Sequence, residues 1–278
     1  MSRAIRLFFV LVTALALVAT ACGSEDKAAS PATTTATTPA VATPGDRATP
    51  AVEGEILVAA AASLTEAYTE IGSGFEKSHP GTKVTFNFDS SSTLAQQVLD
   101  GAPVDVYASA DEANTTKLVD AEHVVGEPAV FARNQLAIVT KPGNPKGVTS
   151  LADLMNAGVI ALCGKDVPCG KFATQALEGA GVTIAENSVT RGQNVKATLT
   201  AVTEGDAVAA VVYVTDAAAA GPAVTTIDIP AAQNVVAVYP VSVLKDARNQ
   251  DLAEAFVAYV LSEDAQVVLK RYGFVSPT

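Results

Sequence analysis

The sequence predicts an α/β fold, a mostly parallel sheet covered by helices, and three observations carry that prediction. From Glu55 onward, short apolar runs alternate with stretches of helical spacing. Glycines stand where the helical stretches stop, at Gly101 and at Gly179 or Gly181. A small or polar residue recurs where each strand hands over to a helix.

The first strand is "EILVAAAA", and "LTEAYTEIGSGFEKSH" follows with Leu64, Tyr68, Ile71 and Phe75 on one helical face. "KVTFNF" alternates Val84, Phe86 and Phe88, which is strand spacing. "TLAQQVLDG" is a helix with a glycine stop, and "VDVYAS" a further strand. "QLAIVT" and "GVIALC" read as buried strands, "GKFATQALEGAG" and "VKATLTAVTEG" as helices, and "AVAAVVY" as a buried strand. The closing stretch "QDLAEAFVAYVLSEDAQVVLKRYGF" places Leu252, Phe256, Tyr259 and Val260 on one helical face. No internal repeat or linker composition interrupts residues 55–278, a length for one large domain or two small ones.

The beginning of the chain has a different character. Arg3 and Arg6 precede an apolar run from Leu7 to Val18 that is short for a membrane span, so residues 1–21 read as a secretory signal peptide. The small residues Ala19, Thr20 and Ala21 before Cys22 resemble a bacterial lipobox, although Ala19 stands where leucine is commoner. By that resemblance Cys22 would carry a lipid and hold the protein on the outer face of the cell membrane. Residues 22–54 are dominated by Ala, Thr, Pro and Ser and are expected to form a disordered tether.

Charge excludes one class of partner. The chain carries 18 basic and 29 acidic residues, a net charge of −11, and loss of the leader would remove two of the basic ones. Nucleic acid is not expected to bind so acidic a surface.

An enzyme is not expected either. Of the two histidines, His79 lies in the turn-like "KSHPG" and His123 in a polar stretch, and both are read as solvated loop residues. No GxSxG, P-loop, GxGxxG or HExxH motif occurs. Cys163 and Cys169, six positions apart in "CGKDVPCG", suit a local disulfide in an oxidising compartment. They could also serve as a redox or nucleophilic thiol, but two sulfurs without a nearby histidine make an incomplete zinc site.

The strand-to-helix handovers are the sites that could bind something. They comprise Ser63 in "AAASLTEAY", Ser90, Ser91 and Ser92 in "DSSSTLAQQ", the helix start after Pro168, Asn194 and Val195 in "GQNVKATL", and Tyr213 at the end of "VVY". In an open α/β sheet such positions gather at the carboxyl edge of the strands, where ligands bind. Serine and asparagine also belong at helix starts as caps, so position alone assigns none of them to a ligand.

Taken together, "AAASLTEAY", "FDSSSTLAQQVLDGAPVDVYASAD", "VPCGKFA", "NVKATLTAVTEGDAVAAVVYVTDA" and "RYGF" resemble the molybdate-binding proteins of ABC-type molybdate importers, from about Glu55 to Phe274. The resemblance implies two α/β lobes joined by a hinge, residues 55–133 with 238–278 and residues 134–237, closing on a tetrahedral oxyanion. It implies that Ser63 and Ser91 each give a hydroxyl and a backbone N–H, that Cys169 and Val195 give backbone N–H groups, and that Tyr213 gives its phenol. Molybdate, and tungstate with it, would be the ligand, bound as an oxyanion with no metal cation and no cofactor. A membrane permease would be the partner of a monomeric receptor.

Two departures from the family pattern stand out. Cys169 replaces an alanine, and Asp89 sets a carboxylate beside the serines; its side chain is expected to point away from the anion. The alternatives are a receptor for another oxyanion such as sulfate or phosphate, a ferric-ion receptor, a thiol-dependent enzyme using Cys163 or Cys169, and a surface adhesin.

Overall fold

A computed structural model describes residues 52–277. The leader, Cys22 and nearly all of the expected tether lie outside these residues. The described structure begins slightly before the predicted position. Val52 packs on the core, the Glu53 carbonyl accepts a hydrogen bond from the Asn249 side chain, and Gly54 already pairs with Thr82.

Strand β1 (Gly54–Ala61), helix α1 (Thr65–Ser78), β2 (Thr82–Asp89), α2 (Ser91–Leu99) and β3 (Val106–Ala108) form the first βαβαβ run. β1 pairs in parallel with both β2 and β3. Helix α1 buries Ala67, Tyr68, Ile71 and Phe75, and the Tyr68, Phe75, Phe131 and Phe256 rings pack edge-on or tilted at 5.4–6.2 Å. Apolar area removed from water in this way is the dominant stabilising term.

Helix α3 (Glu112–Asp120) leads to the long strand β4 (Ala129–Thr140). Next come β5 (Ile160–Cys163), α4 (Pro168–Gly179), β6 (Val189–Gly192), α5 (Val195–Thr203), β7 (Ala209–Tyr213) and α6 (Val214–Ala220). The chain then forms β8 (Thr225–Asp228) and β9 (Val236–Val243), and ends in α7 (Gln250–Val260) and α8 (Glu263–Arg271).

The sheet runs β2-β1-β3-β9-β4-β7-β5-β6, with β8 also on β4. Parallel pairing holds within the outer groups, while every pairing of β4 is antiparallel, as is β3 with β9. β4 pairs with β9 as far as Gln135 and with β7 from Leu136, so one continuous strand belongs to both halves. The lobe boundaries expected at 133/134 and 237/238 cut β4 and β9 where these two strands still pair with each other, Arg133 with Val238 and Asn134 with Ala237.

Several elements carried little signal. β9 contains Pro240, which argues against a strand interior. It fits because it lies opposite Val130, where the β4 register shifts. The C-terminal helical stretch is two helices, separated where Ser262 caps α8 by accepting from the Ala265 N–H. His79 departs from the solvated-loop reading. It is half-buried and stacks on the Phe75 ring at 4.2 Å, and its Nδ1 lies 3.1 Å from the Phe75 carbonyl.

Candidate functional site

The handover positions converge. Ser63, Ser91, Cys169, Val195 and Tyr213 all line one cavity, together with Ala61, Ala62, Asp89, Ser90, Ala110, Pro168 and Asn194. Its free interior is about 20 Å³. A single water needs ~10–15 Å³ on the same scale, so the space suits one small group. No lysine, arginine or histidine is among the lining residues.

The helix starts explain how such a cavity attracts charge. The first N–H groups of an α-helix have no intrahelical acceptor and add to roughly half a positive charge. Capping and cavity-lining fall on adjacent residues. Ser90 caps α2 by accepting from Thr93 N–H, and Asn194 caps α5 by accepting from Ala197 N–H. Ser91 and Val195 therefore sit one position inside, at the first helical residue. Cys169 follows Pro168, which occupies the opening position of α4 and has no N–H to lose.

Each serine hydroxyl is held from behind. Ser63 Oγ and the Tyr239 hydroxyl are 2.9 Å apart, and Asn134 Nδ2 donates to the same Tyr239 oxygen at 3.3 Å. Ser91 Oγ accepts from the Ala110 N–H, while the Tyr107 hydroxyl donates to the Ser91 carbonyl. Tyr213, at the amino end of α6, has a buried hydroxyl with no hydrogen-bond partner among the described residues. Burial raises its pKa well above the ordinary phenol value, so it remains a neutral donor. A buried, unpartnered polar atom aimed at a cavity is the kind of group a ligand satisfies.

Close backbone approach shapes the other wall. Cys163 and Cys169 form a disulfide with Cα atoms 5.8 Å apart, so neither is the free thiol that an enzyme reading requires. A Cβ on Gly170 would stand 1.9 Å from the Gly164 carbonyl oxygen, and one on Gly192 2.3 Å from Thr198 Oγ1. Both contacts let α4 and α5 start tight against the ends of β5 and β6.

Asp89 is a correction to the sequence-based expectation. It lines the cavity instead of pointing away. Its Oδ1 accepts from the Ser90 N–H at 2.7 Å and from Asn194 Nδ2 at 2.9 Å, which links the end of β2 to the start of α5. The nearby lysine is also committed. Lys196 Nζ lies 2.8 Å from both Glu66 carboxylate oxygens and 3.0 Å from Asp216 Oδ1. Burial pushes Asp216 up to about 6, with Lys196 opposing the shift. Burial would lower Lys196, but Asp216 and Glu66 outweigh it and raise its pKa.

Ala110, Tyr239 and Asn134 were not singled out from the sequence. Ala110 follows β3 in "YASAD", the same kind of handover as the others, so that signal was present. Tyr239 lies on β9, which the sequence reading did not mark, and Asn134 lies on β4 just before the "QLAIVT" run that it did. Among the described residues no cluster of three or more His, Cys, Asp or Glu could hold a metal ion, and no helix is long and apolar enough to cross a membrane.

A two-part α/β sheet with a small, donor-lined cavity between its halves defines a class of ligand receptor, and the chain belongs to the bacterial extracellular solute-binding proteins, whose family model matches residues 56–275. Among its relatives is the molybdate-binding protein ModA of Mycobacterium tuberculosis, 38% identical over 258 residues that cover 92% of each chain. ModA of Escherichia coli is 32% identical over 80% of this chain and 89% of its own. The Azotobacter vinelandii periplasmic molybdate-binding protein has a similar fold, with a TM-score of 0.73 at 24% identity over 80% of this chain and all of its own. So does the sulfate-binding protein SubI of M. tuberculosis, with a TM-score of 0.69 at 20% identity over 79% and 86%. The fold is thus shared by receptors named for different oxyanions.

Proposed function

We propose that the protein captures molybdate, and tungstate with it, outside the cytoplasm and delivers it to an ABC permease in the membrane. Residues 55–133 with 238–278 form one lobe and residues 134–237 the other, and they close around the ion. The Ser63, Ser91 and Tyr213 hydroxyls and the backbone N–H groups of Ser63, Ser91, Cys169 and Val195 hold it. The receptor is exported by residues 1–21, carries a lipid on Cys22, works as a monomer and catalyses no reaction.

The observation that carries this reading is the convergence of those five residues on one cavity with neutral donors and no basic side chain. Fixed dipoles at helix starts hold an anion without a counter-charge. Seven hydrogen bonds to a charged ligand, at ~1.5–3 kcal/mol each, give a gross gain of roughly 10–20 kcal/mol. Association costs an estimated ~4–15 kcal/mol, which leaves micromolar or tighter binding within reach. The relatives named for molybdate direct the choice of anion.

Isothermal titration of the purified protein with molybdate, tungstate, sulfate and phosphate tests it. One-to-one binding of the first two, with the others at least about a hundredfold weaker (~2.7 kcal/mol), is expected. Equal or tighter sulfate binding would keep the oxyanion receptor and replace its ligand. No heat with any anion would remove the receptor reading.

A further inference from the structure

We propose that Glu66 and Lys196 form a latch between the two lobes, an ion pair that holds the cavity closed without touching the anion. The proposal rests on the two-lobe receptor reading above and deepens it, by assigning part of the closing force to a contact outside the cavity.

The latch acts at the start of α5. Val195, a proposed donor to the anion, stands between Asn194 and Lys196, and a carboxylate of the other lobe binds each of these neighbours. Asn194 Nδ2 donates to Asp89 Oδ1 at 2.9 Å, which ties α5 to the end of β2. Lys196 Nζ donates to both Glu66 carboxylate oxygens at 2.8 Å, which ties α5 to the first turn of α1. Helix α5 also packs on the short turn Ala62–Leu64, which carries Ser63. Asp89 and Asn194 line the cavity and belong to the site, whereas Glu66 and Lys196 do not. The ion pair is therefore a tie between the lobes that the ligand does not contact.

The lysine is held ready from its own lobe. Asp216, in the first turn of α6, is fully buried, and its Oδ1 lies 3.0 Å from Lys196 Nζ. When the lobes part, Glu66 leaves with α1 while Asp216 stays with α5 and α6. An ammonium anchored on one side gives up less side-chain freedom on meeting its second carboxylate than a free surface lysine would, and that loss is what makes most surface pairs weak. Partial shielding adds to this, because the Lys196 side chain is 27% exposed and that of Glu66 38%.

Charge gives the latch a distinctive sign. Glu66 stands three residues beyond Ser63, in a chain whose net charge is −11. As a charge alone it opposes an incoming anion, and neutralising it would speed capture and tighten binding. As half of a latch it does the reverse, because its loss favours the open form and speeds release.

The test compares wild type, Glu66→Gln, Lys196→Gln and the double variant at about 0.15 M salt, where long-range steering is screened. Molybdate affinity is measured by isothermal titration, release by chasing radiolabelled molybdate with unlabelled, and lobe closure by small-angle X-ray scattering with and without molybdate. Glu66→Gln is expected to raise the dissociation constant about fivefold (~1 kcal/mol), through faster release, with the association rate unchanged within about twofold. Lys196→Gln, which keeps a donor toward Asp216, is expected to weaken binding at least as much, and in its background Glu66→Gln adds nothing. A contact that served only the stability of the fold would lower the unfolding midpoint and leave the release rate alone.

Unchanged or tighter molybdate binding in Glu66→Gln would overturn the latch, as would an equal loss with and without the Lys196 ammonium. A wild type that binds molybdate without becoming more compact would remove lobe closure, and the latch with it. A wild type that binds no molybdate would remove the receptor reading itself, a result distinct from a latch that fails in a protein that binds and closes.

Discussion

The two walls of the cavity supply hydrogen-bond donors by different means. On the β1–β3 side the candidates are serine hydroxyls, each with buried polar groups packed behind it: Tyr239 and Asn134 behind Ser63, Ala110 and Tyr107 around Ser91. On the β5–β7 side they are backbone N–H groups at the starts of α4 and α5, set by glycine contacts and a disulfide, with a phenol left unpartnered. The first wall is specified by side-chain chemistry and the second by backbone path. Substitutions should therefore affect binding on the first wall and folding on the second.

The largest effect is expected from Gly170→Ala. The new methyl meets a backbone carbonyl at 1.9 Å, and neither partner can rotate away. A loss of about 4 kcal/mol is expected, at or above the upper end for overpacking, and read by denaturant unfolding. A loss below about 1 kcal/mol would mean that α4 can shift, and that the second wall is looser than the contact implies.

The ionic cluster where the walls meet gives the next effect. Asp216 has a folded-state pKa raised to about 6, mainly by burial. The native state therefore keeps a proton that the unfolded chain releases near its ordinary value. This contribution is fully present below about pH 4 and is lost as pH rises to about 6, with a cost of up to about 3 kcal/mol. Other carboxylates work the opposite way, among them Glu186, lowered to about 2 chiefly by Arg191. The useful measurement is thus the stability of wild type minus that of Asp216→Asn across this range. The difference should fall with rising pH and then flatten, and a difference independent of pH would remove the assignment.

On the proposed reading, Ser91→Ala removes one donor to a charged ligand. Molybdate affinity should fall about ten- to a hundredfold, or ~1.5–3 kcal/mol. Reduction of the Cys163–Cys169 disulfide should lower unfolding stability by about 2 kcal/mol, as expected for so short a loop. The smallest effect on binding belongs to Val195→Ala. Its contribution comes through backbone, and the molybdate dissociation constant should change by less than about twofold, under ~0.5 kcal/mol. A Val195→Ala loss as large as that of Ser91→Ala would break the contrast between the walls.

Much of this arrangement was legible in the chain. The alternation of apolar runs and helical spacing marked the outer strands and their helices, because burial on one face imposes a period that survives in sequence. Ser63, Ser91, Cys169, Val195 and Tyr213 were legible through their handover positions and through family resemblance, and all five line the cavity. The antiparallel strands β4 and β9 were half seen or unseen. A proline interrupts β9, and β4 changes partners midway, so neither has a single periodic signature.

By itself, the sequence determined the α/β class, the acidic net charge and five of the residues that line the cavity. These follow from local pattern and composition. Only the tertiary structure decided which hydroxyl faces which partner, that Asp89 shares the cavity, and that Lys196 is spent on Glu66 and Asp216. Ser63 and Tyr239 are 176 positions apart, and Lys196 and Glu66 are 130 apart. Hydrogen-bond polarity and ion pairing depend on distances of a few ångströms, which strand order and helix packing establish and local sequence does not encode.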